Sequence, residues 1–245
     1  MTLAITLSIG IPLLILFIML VFGLYSNRSL GWVFLCLIGG ALGYFLTVQL
    51  ISYLLAQGAE NKALVVYFAP IVQQVLVSIG VFFVLYREKS DNLIEGAVFG
   101  WAVGLGFAIL DSIYYIRTLP DIALDIVLAR FFSTTLVYAT ASAITGLVMT
   151  QFYFRHRENR GVILLSGLGA AIGYMSLFNW LTQSELDIVL ARFLSTTLVY
   201  ATASAITGLV MTQFYFRHRE NRAVILLSGL GAAIGYMSLF NWLTQ

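Results

Sequence analysis

The sequence predicts an all-α protein, a polytopic transmembrane helical bundle of about eight helices. Hydrophobic residues make up 60% of the 245 residues and charged residues only 10%, whereas a soluble domain has about a quarter of its residues charged. The mean hydropathy is +0.95. Apolar runs of about 20 residues, long enough to cross a bilayer as a helix, recur along the chain. The net charge of +2 is too small to indicate a nucleic-acid partner.

Eight predicted spans follow from these runs. Each is predicted as a helix because lipid offers no partners to backbone N–H and C=O groups. The first span lacks the basic start and the small-residue cleavage site of a signal peptide, so we expect a retained helix. The spans run over residues 3–25, 30–56, 63–86, 93–117, 122–151, 161–182, 186–213 and 223–243.

The distribution of lysine and arginine predicts the orientation in the cell membrane. The loops after the first, third, fifth and seventh spans are the basic ones, whereas the other loops hold only Lys62 and Arg117. We therefore expect the basic loops in the cytoplasm and both termini outside it. The basic loops contain Arg28, Arg87, Lys89, Arg155, Arg157, Arg160, Arg217, Arg219 and Arg222.

Glycines at four-residue spacing predict close approach of helices. We expect them to pack helices within one bundle. A face that pairs two copies of the chain, giving a homo-oligomer, is the alternative. The glycines are Gly96, Gly100 and Gly104 in the fourth span, Gly39 and Gly43 in the second, and Gly169 and Gly173 in the sixth.

The C-terminal half contains a tandem duplication. Residues 124–183 and 186–245 differ only at Phe132 against Leu194 and at Gly161 against Ala223. Each copy is a hairpin of two spans, so both copies have the same orientation. Two such hairpins compete for one position against the third and fourth spans. We therefore predict a core of residues 1–183, with about six helices, and a duplicate hairpin in 184–245.

Polar residues inside the spans are few, and such residues indicate a functional site. Gln73 and Gln74 interrupt the apolar run YFAPIVQQVLVSIG, Asp111 lies in the fourth span, and Arg130 and Tyr138 lie in the fifth. At 1.5 Å per residue, Asp111 and Arg130 lie roughly 9 and 12 Å from the outer ends of their spans. Two interpretations stay open: a functional cluster, or an Asp111–Arg130 ion pair with interhelical amide bonds worth roughly 0.6–2 kcal/mol each.

Three stretches of the sequence resemble a known family, the PrsW intramembrane proteases, which are related to the CAAX prenyl proteases. FAPIVQQVLVSIG resembles the family segment A-P-x-x-E-E-x-x-K. EGAVFGWAVGLGFAILDSIYYI resembles G-x-x-x-G-x-G-F-A-x-x-E-N, and ARFFSTTLVYATASAITG resembles R-x-x-x-T-x-x-x-H-A. The resemblance covers residues 65–150, and the hairpin helix of 161–182 closes the expected fold.

The resemblance implies an active site in which a carboxylate activates water, with or without a metal, and a histidine stabilises the oxyanion. The glutamate pair of the family falls on Gln73 and Gln74, and the later glutamate falls on Asp111. The asparagine beside it falls on Ser112, and the histidine falls on Tyr138. Each of these positions therefore departs from the family pattern.

These departures predict a pseudoenzyme with no cofactor and no metal. An amide cannot accept a proton, amides are not among the usual zinc ligands, and Asp111 alone keeps a carboxylate. We expect the protein to bind a transmembrane helix of a partner or substrate protein, or a lipid-linked peptide, within the lipid bilayer. Two alternatives stay open: an active peptidase that uses Asp111, and a structural subunit or small channel or transporter with Pro70 as the helix break.

Overall fold

A computed structural model of the chain describes residues 30–88, 93–118, 124–154 and 160–183, together with single positions between 6 and 17. Within the four described ranges every regular element is a helix. Five helices there are long and apolar enough to cross a membrane. They are α1 (Leu30–Ala56), α2 (Asn61–Glu88), α3 (Leu93–Thr118), α4 (Leu124–Phe154) and α5 (Arg160–Gln183).

The predicted fold class, an all-α polytopic bundle, is confirmed by these helices. Helices α1 to α5 correspond to the second to sixth predicted spans. Of the first predicted span the structure describes single positions only, and the seventh and eighth spans lie outside the described residues. The total of eight helices therefore stays a prediction.

Helix α3 forms the centre of the bundle, with α1 on one side and α4 on the other. Every residue from Val98 to Ala108 is buried. A helix that is apolar all round must be enclosed by other helices, and this stretch contains neither a charged residue nor a polar side chain other than the indole of Trp101. The first ionisable residue after it, Asp111, follows where α3 leaves the fully enclosed part of the bundle.

The glycine run of α3 brings its backbone against that of α4. No side chain fits at this seam, because a Cβ atom on α3 would collide with a backbone oxygen of α4. This packing within one chain confirms the first of the two interpretations of the run. The pairs that would collide are Gly96 with the carbonyl of Gly146, Gly100 with that of Ser142, and Gly104 with that of Tyr138.

The prediction for α1 is wrong in its register. Gly40, rather than Gly39, meets α3, where a Cβ would collide with the carbonyl of Val103. Gly40 and Gly43 are three residues apart and share the buried face of α1, whereas Gly39 is exposed. A Cβ at Gly43 would make an ordinary contact of 3.7 Å with the side chain of Leu76.

The glycine pair of α5 has no such neighbour in the part of the chain that the structure describes. A Cβ at Gly169 or Gly173 would meet nothing within 4 Å there. The described helices therefore leave this pair uncovered, and the predicted packing of these two glycines within the bundle is not seen among them.

The first of the two hairpins occupies the position against α2 and α3. Residues 124–183 supply α4 and α5, and both of these helices contact α2 while α4 also lies along α3. Residues 184–245 lie outside the described residues. In this structure, therefore, the first copy holds the position for which the sequence predicts competition.

We predict that the Gly100→Ala substitution destabilises the protein by about 1–3 kcal/mol, because its methyl group forces α3 away from the Ser142 carbonyl. Gly39→Ala is the matched control, since its methyl group enters open space. The melting temperatures of both variants in the same detergent measure the effect. Equal melting temperatures would show that the α3–α4 seam tolerates a side chain.

We further propose that residues 1–183 form the complete unit. Deletion of residues 184–245 should then leave a protein that is monodisperse in detergent and melts cooperatively, because the first hairpin already packs on α2 and α3. Size-exclusion chromatography with a melting curve checks this expectation. Aggregation of the shortened chain would assign a structural role to the second hairpin.

Candidate functional site

The start of α2 departs from regular helix immediately before Pro70. Residues Leu64–Phe68 form a π-helical turn, in which the N–H of Ala69 bonds to the carbonyl of Leu64. The next bond of this pattern would need an N–H at residue 70, which proline lacks. The carbonyl of Val65 instead accepts a hydrogen bond from Nδ2 of Asn179 in α5, at 3.0 Å. Single π-helical turns are frequent at functional sites, and here the turn ties α2 to α5.

A cavity of about 380 Å³ lies beside this turn. Its size falls within the range of small-ligand pockets. All five helices line it, at the end of the bundle where α1 connects to α2 and α3 connects to α4. This is the end that the distribution of basic residues predicts to face outside. Tyr44, Gln73, Asp111, Tyr138 and Asn179 are among the lining residues.

The structure brings three of the candidate residues to this one cavity: Gln73 from α2, Asp111 from α3 and Tyr138 from α4. Gln73 is only 2% exposed. Its amide nitrogen has no hydrogen-bond partner among the described residues. Asp111 is the only acidic residue that lines the cavity within the described part of the chain.

Gln74 has a different environment from Gln73. It is fully buried and does not line the cavity. Its Oε1 accepts a hydrogen bond of 2.7 Å from the hydroxyl of Thr145 in α4. Its Nε2 donates to the sulfur of Met175 in α5 at 2.8 Å. Gln74 is thus an interhelical amide, whereas the neighbouring Gln73 faces a cavity, because consecutive residues of a helix point about 100° apart.

The ring of Tyr138 is fixed in the cavity wall by aromatic contacts. Its centroid lies 5.2 Å from that of Phe107, at an interplanar angle of 62°. Phe107 in turn lies edge-on to Tyr44, also at 5.2 Å. This edge-to-face series joins α4, α3 and α1, and such pairs are worth about 0.5–1.5 kcal/mol beyond their buried area. The phenol at position 138 is therefore part of a rigid wall.

Ser112 does not line the cavity, and the position of the Arg130 side chain stays a prediction. Ser112 is buried, at 2% exposure, and its hydroxyl has no hydrogen-bond partner among the described residues. Arg130 belongs to α4, but its side chain lies outside the described part of the structure. The predicted Asp111–Arg130 ion pair therefore stays a prediction.

Sequence reasoning missed Thr134 and Asn179. Thr134 lines the cavity and is only 2% exposed, and its hydroxyl has no described partner. Its position four residues before Tyr138 places both on one face of α4, so helical spacing could have found it. Asn179 depends on the π-helical turn of α2, which the sequence signals only through Pro70.

A bundle of apolar helices, each long enough to cross a bilayer, places the protein among multi-pass integral membrane proteins. The chain belongs to the PrsW family, described as intramembrane metalloproteases: the model of that family matches residues 28–203. The resemblance seen in the three motifs is thereby confirmed. No curated protein and no solved structure matches the chain. The matched range covers all five described helices and ends within the second copy of the hairpin.

The family description implies a metal ion, so the donor groups of the cavity must be tested against one. A catalytic zinc ion takes three protein ligands from histidine, cysteine and carboxylate side chains. No group of three or more such residues converges within the described residues. Among the described lining residues the cavity offers one carboxylate, Asp111, beside the amide of Gln73 and the phenol of Tyr138. These donors do not fit a zinc ion.

The adjacent glutamines allow a matched test of this geometry. We predict that Gln74→Leu destabilises the protein by about 1–3 kcal/mol, because the Thr145 hydroxyl is left buried without its partner. Gln73→Leu should leave the free energy of unfolding unchanged or raise it, because it removes an amide nitrogen without a described partner. Chemical unfolding in mixed micelles compares the two variants. The reverse order of stability would contradict the assignment of the two amides.

Proposed function

We propose that the protein is a catalytically degenerate member of the PrsW family whose cavity binds a transmembrane helix or a lipid-linked peptide without cleaving it. The observation that carries this proposal is that Gln73 lines the same cavity as Asp111 and Tyr138. An amide there keeps the shape and the hydrogen bonding of a glutamate but cannot act as a base. From the basic loops we also propose a plasma-membrane location with both termini outside the cytoplasm.

The chemistry of the cavity supports binding to peptide groups. The Gln73 amide nitrogen and the Thr134 hydroxyl are buried donors without described partners. A buried donor that lacks an acceptor costs about 1–3 kcal/mol. The carbonyl groups of a peptide would satisfy both donors and recover that free energy. Backbone carbonyls become available where a helix is unwound, and so a partner helix with a locally unwound segment is the best match.

The second candidate function is an active peptidase that uses Asp111. It is favoured by the position of this carboxylate in the cavity wall, where a single carboxylate could still activate water. It is opposed by the residues around Asp111, which supply no second carboxylate within the described lining. General base catalysis would then depend on the Asp111 carboxylate alone.

The channel or transporter alternative needs a broken helix at the level of the site. Helix α2 is not broken at Pro70, because the π-helical turn continues directly into Ala69–Glu88. The carbonyl that the proline leaves without a helical partner, that of Val65, is satisfied by Asn179. We therefore rank this alternative below the other two.

Purified protein in liposomes, incubated with a library of transmembrane peptides, tests the proposal. We expect peptide capture without new cleavage products, and a loss of capture of about tenfold in Gln73→Leu, equivalent to one hydrogen bond of about 1.4 kcal/mol. Thr140→Val is the matched control, since Thr140 is buried outside the cavity lining. Peptide cleavage that disappears in Asp111→Ala would replace this proposal with the active peptidase.

Reversion tests the ancestry of the site. We predict that Gln73→Glu combined with Tyr138→His and Tyr200→His yields slow hydrolysis of captured peptides, because it restores a second carboxylate and a histidine beside Asp111. Tyr200 is included because it repeats Tyr138. Mass spectrometry of the products measures the effect, and the same triple variant with Asp111→Ala serves as the control. Equal hydrolysis by the triple variant and by the same variant with Asp111→Ala would contradict a catalytic role for Asp111.

A further inference from the structure

The first hairpin packs on a surface of α2 and α3 that we call the hairpin-packing surface, defined by Val65, Gln74, Gly96, Gly100 and Gly104. Three of these positions admit no side chain, because a Cβ would collide with the backbone or a side chain of α4. The other two make polar contacts with the hairpin. This surface therefore selects its occupant by shape and by specific hydrogen bonds.

Each hairpin residue that meets this surface is present twice in the chain. The copies lie 62 positions apart, as the starts at residues 124 and 186 show. The contacting residues include Tyr138, Ser142, Thr145, Gly146, Met175 and Asn179. Their copies are Tyr200, Ser204, Thr207, Gly208, Met237 and Asn241.

Of the two positions at which the copies differ, the one at Gly161 leaves room for exchange. A Cβ at Gly161 meets nothing within 4 Å, so that the alanine at 223 fits the same place. At the other position, Phe132 corresponds to Leu194, a smaller apolar side chain. Because each hairpin contains two spans, both copies also enter the membrane in the same direction.

We propose that residues 186–245 are an alternative occupant of the hairpin-packing surface of the same chain. Since the residues of the two copies that would make these contacts are identical, the connecting residues rather than packing on this surface would set the populations of the two arrangements. In the exchanged arrangement Thr196 and Tyr200 replace Thr134 and Tyr138 in the cavity wall. Gln73 and Asp111 have no copies and remain in place, so the chemistry of the cavity is unchanged.

Substitution of the seam glycines tests this exchange. A leucine at Gly146 would collide with the Gly96 carbonyl, and a leucine at Gly208 would do the same for the second copy. We expect Gly146→Leu and Gly208→Leu each to melt within about 2 °C of the unsubstituted protein, because one intact occupant remains. The double variant, and Gly96→Leu, which changes the surface itself, should aggregate in detergent.

Three results would overturn the proposal. If Gly146→Leu is as damaging as the double variant, the second hairpin cannot replace the first. Aggregation of Gly208→Leu alone would show that the second hairpin has a separate structural position. A stable Gly96→Leu variant would show that the seam does not select its occupant.

Cross-linking gives a direct readout. Phe82 of α2 lies edge-on to Tyr153 of α4, with centroids 5.4 Å apart, and Tyr215 is the copy of Tyr153. In a Cys36→Ala background, Phe82→Cys with Tyr215→Cys should form an internal cross-link with a short thiol-specific reagent, as should Phe82→Cys with Tyr153→Cys. No cross-link to position 215, or a cross-linked dimer only, would overturn exchange within one chain. Phe82→Cys alone is the control.

Discussion

The close approach of the α3 and α4 backbones is the contact on which the rest of the structure depends. It places Gly104 against the carbonyl of Tyr138, and Asp111 follows Gly104 by two helical turns. The level of Tyr138 relative to Asp111 is therefore set by backbone atoms rather than by adaptable side chains. This rigidity explains how a cavity lined by five helices can hold an amide, a carboxylate and a phenol together.

The sequence was sufficient for the fold class, for the five described spans and for the close packing of the α3 glycines within the bundle, because composition and glycine spacing express these features locally. The sequence was insufficient wherever the rotation of a helix about its axis decides which residue faces a neighbouring helix or the cavity. Four-residue spacing selected Gly39 in α1, yet the neighbouring Gly40 touches α3. Likewise, the sequence could not show that Gln73 faces the cavity whereas Gln74 bonds to neighbouring helices. Their difference depends on where Thr145 and Met175 lie, and tertiary packing alone determines that.

The separation of the two glutamines gives the departures from the family motif a physical meaning. At position 74 the amide uses both of its ends, since it accepts from a hydroxyl and donates to a sulfur. An ionised carboxylate accepts hydrogen bonds but cannot donate them, so it could not make the bond that the amide donates to the sulfur of Met175. The amide at position 74 therefore stabilises helix contacts, whereas the amide at position 73 belongs to the cavity itself.

The duplication divides the cavity residues into two kinds. Gln73 and Asp111 come from helices that occur once, whereas Thr134, Tyr138 and Asn179 come from a hairpin that occurs twice. Interchangeable hairpins would let a substitution in one copy be masked by the other, as long as the hairpin-packing surface is intact. A change at Gln73 or Asp111 has no such compensation. The effect of a cavity substitution thus depends on the helix that carries it, and the uncopied residues of α2 and α3 report most directly on the site.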